Sequence, residues 1–153
     1  PINALLSRYV EQENPVVSID PFANRKHGFA KTTNDLNPNT DTDYHMNALD
    51  FLQMYEDESV DFVLYDPPYS LRQMKEVYDG IGMALTQKDT QVFFKEIKEQ
   101  IARITKPEGV VISFGWNSGG IGKTLGFKQE EILLVAHGGI HNDTIVTVER
   151  KMK

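Results

Sequence analysis

The segment Val60-Asp-Phe-Val-Leu-Tyr-Asp-Pro-Pro-Tyr69 contains the strongest structural signal in the chain. Residues 60–65 form a mostly apolar run of the length and character of a buried strand. Pro67 and Pro68 end it abruptly, because proline has a fixed φ and no N–H group to continue a strand ladder. The sequence therefore predicts a strand over residues 60–65, followed by a stiff turn that begins at Asp66.

On both sides of this segment the pattern alternates between helix and strand. Apolar residues at helical spacing predict helices over residues 3–13, 47–55 and 90–104. Short apolar runs predict strands over residues 16–19, 29–35, 110–114, 130–136 and 144–150, with a turn at residues 106–109. Alternation of this kind predicts an α/β fold with an open, mostly parallel sheet, helices on both faces and a C-terminal antiparallel hairpin.

The composition limits the class of protein. The chain has 153 residues, 40% of them apolar and 25% charged, which suits one globular domain. It contains no cysteine, which excludes disulfides, thiolate zinc sites and a cysteine nucleophile and fits a reducing, cytoplasmic environment. There is no apolar run long enough to span a membrane, and the first residues lack the regions of a signal peptide. The net charge of −6 is unusual for a protein that binds nucleic acid by itself, so such binding needs a local basic patch or a partner.

Polar residues stand directly after several predicted strands. In an open α/β sheet, ligands bind outside the carboxyl ends of the strands, near the point where the strand order reverses. The candidate site residues are therefore those of four segments: Asp20-Pro21-Phe22, Asn34-Asp35, Asp66-Pro67-Pro68-Tyr69 and Phe114-Gly-Trp-Asn117.

Asp66-Pro67-Pro68-Tyr69 suits the methylation of an exocyclic amino group. The lone pair of such a nitrogen is delocalised into its ring, and two acceptors for its N–H bonds would favour the nucleophilic, tetrahedral form. The Asp66 carboxylate and the Pro67 carbonyl can supply these acceptors, and the consecutive prolines hold them in place. Tyr69 offers a flat face on which a flipped base can stack. A plain strand-ending turn is the alternative interpretation.

This tetrapeptide after an apolar strand resembles motif IV of the amino-methyltransferases, which methylate adenine N6 or cytosine N4 in DNA. The resemblance extends over roughly residues 1–150 and implies a Rossmann-like methyltransferase fold with S-adenosylmethionine as the cofactor. It implies catalytic roles for Asp66, Pro67, Pro68 and Tyr69.

The same resemblance implies a set of cofactor-binding residues. The segment Asp20-Pro21-Phe22-Ala23 is similar to motif I, and Asp35 stands where an acidic residue binds the ribose hydroxyls. Asn47-Ala48 stands where motif III contacts the adenine of the cofactor, with Asp43 or Asp50 as alternatives, and Asp66 also borders this site. The chain departs from the family in its motif I turn, which reads Asn24-Arg-Lys-His-Gly28 instead of a short glycine-rich turn.

Several other features have less specific interpretations. Residues 117–124 lack the first glycine of a phosphate-binding loop, so a flexible loop beside the site is expected. The histidines lack zinc-ligand spacing, so no metal is expected. We expect Trp116 to belong to the core, and His141, Asn142 and Asp143 to form a solvated turn, with contact to the target as the alternative. The basic residues that could meet phosphates near the site are Arg25, Lys26, Lys31, Arg72 and Lys75.

The sequence thus predicts an S-adenosylmethionine-dependent DNA methyltransferase, with adenine N6 as the favoured target. Cytosine N4, RNA and a protein amide remain alternatives, as does an inactive cofactor-binding subunit that needs a DNA-binding partner. The motif order predicts a single catalytic domain over residues 1–153, without a separate target-recognition domain. DNA and either a second copy of the chain or a specificity subunit are the expected partners, and no membrane is expected.

Overall fold

The computed structural model describes residues 1–68, 87–139 and 142–153. The helices in these ranges are α1 (Ile2–Glu13), α2 (Ala48–Gln53) and α3 (Gln87–Ile104). The strands are β1 (Ser18–Asp20), β2 (Thr32–Thr33), β3 (Val60–Tyr65), β4 (Thr105–Gly115), β5 (Phe127–Val135) and β6 (Thr144–Lys151).

The strands form one six-stranded sheet in the order β2-β1-β3-β4-β6-β5. Strands β2, β1, β3 and β4 are parallel to one another, whereas β6 runs antiparallel to both β4 and β5. The predicted mostly parallel sheet with a C-terminal antiparallel hairpin is therefore confirmed. Strand β2 lies on one side of β1, and the strands from β3 onward lie on the other side. The strand order therefore reverses between the neighbouring strands β1 and β3.

Helices cover both faces of the sheet, as predicted. On one face, Leu5, Leu6 and Tyr9 of α1 pack with Phe62 and Leu64 of β3 in a single apolar cluster. On the opposite face, α2 and α3 pack against each other and bury apolar side chains with those of β1, β3 and β4. The main contributors from these two helices are Phe51, Leu52, Ile97, Ile101 and Ile104.

Most predicted elements occur with shifted ends. Strand β3 has the predicted bounds, whereas the strand expected at residues 29–35 is reduced to Thr32–Thr33. The helix expected over residues 47–55 ends at Gln53. The turn expected at residues 106–109 lies inside β4 as an irregularity, because Val60 pairs with Thr105 and Phe62 already pairs with Val110.

None of the helices in the described ranges is both long enough and apolar enough to cross a membrane.

Candidate active site

The centre of the candidate site is the carboxyl edge of β1 and β3. Ser18 pairs with Phe62 and Ile19 with Val63, so both strands end at the same edge. Asp20 is the last residue of β1, and Asp66 directly follows β3. The fold therefore brings the two predicted motifs together at the point where the strand order reverses, which is the usual ligand position in such sheets.

Two aromatic rings connect the motifs. The ring centroids of Phe22, in the predicted cofactor motif, and Tyr65, which precedes Asp66, are 6.2 Å apart at an interplanar angle of 58°. This distance and tilt are typical of a favourable aromatic contact. Pro21 and Ala23 are buried on either side of Phe22, so the turn after β1 is packed into the protein.

Asp20 is a buried carboxylate with two hydrogen-bond donors. Its Oδ1 accepts the N–H of Phe22 at 3.0 Å, and its Oδ2 lies 2.8 Å from His27 Nε2. Burial raises the pKa of Asp20, because a low-dielectric surrounding disfavours the charged form, while the bonds from His27 and Phe22 act in the opposite direction. The contact of His27 with Asp20, seven positions earlier in the chain, has no counterpart in a local sequence pattern.

Asn34 is one of the candidate site residues, and the structure gives it hydrogen bonds that the sequence did not indicate. Its fully buried side chain donates to the carbonyls of Pro21 and Met46 and accepts the N–H of Met46 at 3.1 Å. Its backbone carbonyl accepts the N–H of Ala23 at 2.9 Å. Asn34 thus ties the turn after β1 to the segment that leads into α2.

Asp35 lies at the same edge, directly beyond the end of β2. Its Oδ2 accepts the N–H of Asn24 at 3.1 Å, and its Oδ1 accepts the N–H of Asn37 at 2.8 Å. Asn24 adopts the left-handed conformation with φ 61°, which asparagine tolerates better than most residues. A carboxylate has about four acceptor positions, so the half-buried Asp35 retains acceptor capacity for a ligand hydroxyl.

The residues near α2 have structural contacts of their own. Asn47 is the N-cap of α2, and its side chain accepts the N–H of Leu49 at 2.8 Å, whereas Ala48 is buried in the core. Asp43 accepts both the N–H and the hydroxyl of Thr33 at 2.9 Å, and the N–H bond is the main cause of its lowered pKa. Asp50 is exposed in the first turn of α2.

In the predicted catalytic motif, Asp66 is exposed, Pro67 is buried and Pro68 is half-buried. A buried Pro67 fixes the start of the turn, while the neighbouring carboxylate remains accessible from solvent. Tyr69, Arg72 and Lys75 lie outside the described residues, as does His141.

Two of the predicted phosphate-binding lysines have contacts within the chain. Lys26 Nζ lies 3.4 Å from Asp43 Oδ1, and Lys31 Nζ donates to the carbonyl of Pro15 at 2.7 Å. Arg25 is exposed. In the predicted solvated turn, Asn142 and Asp143 are exposed, and Asp143 Oδ1 accepts the N–H of His137 at 2.9 Å.

The loop after β4 differs from both expectations about it. Trp116 is 41% exposed and does not belong to the core, because it lies beyond the carboxyl end of β4. The loop after Trp116 was expected to be flexible, but it is held by hydrogen bonds. The buried carboxylate of Glu149 accepts the N–H groups of Ile121 at 2.7 Å and Gly122 at 3.0 Å. These N–H groups would have to bind phosphate in a phosphate loop, so the rejection of that motif agrees with the structure.

No group of three or more His, Asp or Glu side chains that could hold a metal ion occurs among the described residues.

The sheet order, with its antiparallel C-terminal pair, and the helices on both faces define the Rossmann-like methyltransferase fold. The chain is similar to N-methyltransferase NodS from Bradyrhizobium japonicum WM9, with a TM-score of 0.64, 9% identity and coverage of 98% of this chain and 94% of that chain. It is also similar to the 1,6-didemethyltoxoflavin-N1-methyltransferase of Burkholderia thailandensis, with a TM-score of 0.61, 12% identity and coverage of 98% and 76%.

A further similar structure is that of TrmN from Thermus thermophilus, with a TM-score of 0.60 and 15% identity. The match covers 97% of this chain but only 48% of TrmN, so the chain spans about half the length of that protein. No protein-family model and no curated protein sequence matches the chain. Identities of this size establish the shared fold alone.

Proposed function

We propose that this protein is an S-adenosylmethionine-dependent methyltransferase that methylates the N6 amino group of adenine in DNA. The observation that carries the proposal is the position of Asp66-Pro67 at the carboxyl end of β3, beside Asp20 at the carboxyl end of β1. Asp20 suits the methyl donor and Asp66-Pro67 suits the amino group that accepts the methyl, and the pairing of β1 with β3 supports the proposal that the two act together.

The residues at this edge fit the proposed cofactor. Its ribose hydroxyls are hydrogen-bond donors, and Asp35 has acceptor positions beyond those that bind Asn24 and Asn37. Its amino acid portion carries an ammonium group, which suits an edge with the carboxylate of Asp20. When bound, the cofactor supplies an electrophilic methyl group.

In the proposed reaction, the amino nitrogen forms a bond to the methyl carbon, the carbon–sulfur bond breaks, and one amino proton leaves. The Asp66 carboxylate accepts one N–H of the amino group and takes up that proton or passes it to water. The Pro67 carbonyl accepts the other N–H. Because the buried Pro67 holds its own carbonyl in place before the reaction begins, little reorganisation of that acceptor is needed as positive charge develops on nitrogen.

A nucleobase is preferred over a protein amide because the motif begins with Asp66. In the resembled methyltransferases, asparagine is more common at this position when the target is glutamine. Both Lys26 and Lys31 have contacts within the chain, and the net charge is −6, so we propose that DNA binding is weak and sensitive to salt, or is assisted by a second copy or another subunit.

A transfer assay tests the proposed function. The protein is incubated at low salt with isotopically labelled S-adenosylmethionine and unmethylated DNA, and the digested nucleosides are identified by mass spectrometry. Labelled N6-methyladenosine is the expected product. N4-methylcytosine would instead assign the chain to cytosine, and measurable cofactor binding without a labelled base would contradict a DNA substrate for the isolated chain.

Trp116 provides a direct signal for binding of the target, because it is the only tryptophan in the chain and is 41% exposed just beyond β4. We expect its fluorescence to be quenched by a single-stranded oligonucleotide that contains adenine. Since stacking of one base on an aromatic ring contributes about 1–3 kcal/mol, Trp116→Ala should raise the KM for DNA about tenfold, and Trp116→Phe should raise it less. Unchanged fluorescence during productive methylation would exclude contact between Trp116 and the target.

A further inference from the structure

The turn after β1 contains a histidine that folds back onto the cofactor motif. His27 lies where the resembled family has a short glycine-rich turn, and its side chain is 15% exposed. Its Nε2 lies 2.8 Å from Oδ2 of Asp20, whose side chain is 6% exposed. The ring also contacts that of Phe29, with centroids 5.8 Å apart. A bulky residue thus closes the turn by means of a side-chain contact.

Both ring nitrogens of His27 have a partner within the turn. The backbone N–H of Phe29 donates to His27 Nδ1 at 3.2 Å, so Nδ1 must present a lone pair. A ring that carries protons on both nitrogens could not accept this bond. This arrangement matches the tautomer with its proton on Nε2, the atom that lies 2.8 Å from Asp20 Oδ2.

The donation matters because Asp20 is a buried carboxylate. Burial raises the pKa of Asp20, and the nearby negative charge of Asp35 raises it further, whereas the bond and the electrostatic interaction with His27 lower it, as does the bond from the N–H of Phe22. Without the imidazole, the carboxylate would retain the Phe22 donor in a surrounding that disfavours its charge. The ionised form would then persist only at a higher pH.

We propose that His27 is a positioning residue of the cofactor site, whose Nε2–H bond fixes the buried Asp20 carboxylate and keeps it ionised for the cationic portion of the methyl donor. The inference rests on the proposed function for the identity of that cation. His27 itself acts through Asp20, so its replacement should weaken cofactor binding and leave the rate at saturating cofactor nearly unchanged. This combination of effects distinguishes His27 from Asp66, whose replacement is expected to lower the rate and to change cofactor binding little.

The effect on Asp20 can be measured without any ligand. Protein with ¹⁵N-labelled histidine and ¹³C-carboxyl-labelled aspartate is titrated by NMR, and Asp20→Asn assigns the carboxyl signal. We expect His27 in the Nε2–H tautomer and an upward shift of the Asp20 titration midpoint in His27→Ala. A His27 proton on Nδ1, or an Asp20 midpoint that does not move, would overturn the proposal.

Two amide variants distinguish the hydrogen bond between His27 and Asp20 from the one between His27 and the N–H of Phe29. His27→Gln can place an N–H donor near Asp20, whereas His27→Asn is too short for this and retains an acceptor for the N–H of Phe29. By calorimetry, His27→Ala and His27→Asn should bind S-adenosylmethionine about tenfold more weakly than the wild type, because a hydrogen bond to a charged group is lost. His27→Gln should recover most of this affinity, and the loss in His27→Ala should increase as the pH is lowered.

His137→Gln is the matched control, because it also replaces an imidazole, one whose Nε2 lies 2.8 Å from Thr144 Oγ1 in the hairpin region. It should bind the cofactor as the wild type does. Wild-type affinity in His27→Ala, or recovery by His27→Asn instead of His27→Gln, would overturn the proposal. If the wild type itself binds no S-adenosylmethionine, the proposed function fails, and the ligand-free titration alone decides whether His27 controls Asp20.

Discussion

Asp66→Ala is expected to reduce methyl transfer about a thousandfold while the affinity for S-adenosylmethionine changes little. The carboxylate is proposed to accept an N–H of the amino group as positive charge develops on the nitrogen, and removal of one such preorganised group commonly has an effect of this size. Asp66 is exposed and lies beyond the end of β3, so the free energy of unfolding should change by no more than about 0.5 kcal/mol. Single-turnover rates and calorimetry of cofactor binding measure the two effects separately.

Asp57→Ala is the matched control for this prediction. Asp57 is also an exposed aspartate, but it precedes β3 and pairs with Arg103 at 2.8 Å, which places it at the opposite end of the strand from Asp66. The control should keep wild-type activity. Asp66→Asn retains one acceptor oxygen without the charge, so its rate should lie between those of the wild type and Asp66→Ala. A near-wild-type rate for Asp66→Ala would refute the proposed mechanism.

Strands differ in how well the sequence predicts them, and β3 and β2 show why. The apolar residues of the run 60–65 are buried on both faces of the sheet, and the run is followed by Pro67 and Pro68, so local composition and chain geometry define both ends. The strand expected at residues 29–35 is only two residues long. The residues that lead into β2 are held by hydrogen bonds to distant parts of the chain, such as the bond from the N–H of Lys31 to Ser18 Oγ at 2.9 Å. No local sequence pattern indicates such bonds.

In the candidate site, too, some features follow from the sequence and others depend on contacts in the folded chain. The sequence placed Asp20, Asp35 and Asp66 after strands, and the topology of an α/β sheet then predicts that they share one edge. The roles of His27 and Asn34 depend instead on distances between residues that are 7 to 13 positions apart in the chain. Such contacts are properties of the folded turn, and a single sequence does not show them.

Glu149 illustrates why burial of a charged residue is hard to predict. It occurs within β6, near Arg150 and Lys151, in a pattern typical of a strand end exposed to solvent. In the structure its carboxylate is buried because the loop that follows β4 passes over it and donates the N–H groups of Ile121 and Gly122. These two hydrogen bonds to Glu149, which we call the clamp, hold the connection between β4 and β5. The same connection carries Trp116.

The clamp leads to the largest predicted effect on stability, that of Gly120→Ala. Gly120 has φ 56°, and a Cβ at this position would lie 2.8 Å from Oε1 of Glu149 and closer still to Cδ and Oε2. Because Glu149 is buried and bound by two backbone N–H groups, it has little freedom to move away. We expect a loss of about 2–5 kcal/mol in the free energy of unfolding, of which about 1–2 comes from the left-handed backbone and about 1–3 from overpacking.

Gly138→Ala separates the two causes. Gly138 has φ 67°, but a Cβ there would have no neighbour within 4 Å among the described residues, so only the backbone cost of about 1–2 kcal/mol is expected. The double variant Gly120→Ala/Glu149→Ala removes the collision, although it leaves the N–H groups of Ile121 and Gly122 without that acceptor. Urea unfolding should therefore show the double variant to be more stable than the sum of the single effects by about 1 kcal/mol or more. Simple additivity would mean that Glu149 is not what makes glycine necessary at position 120.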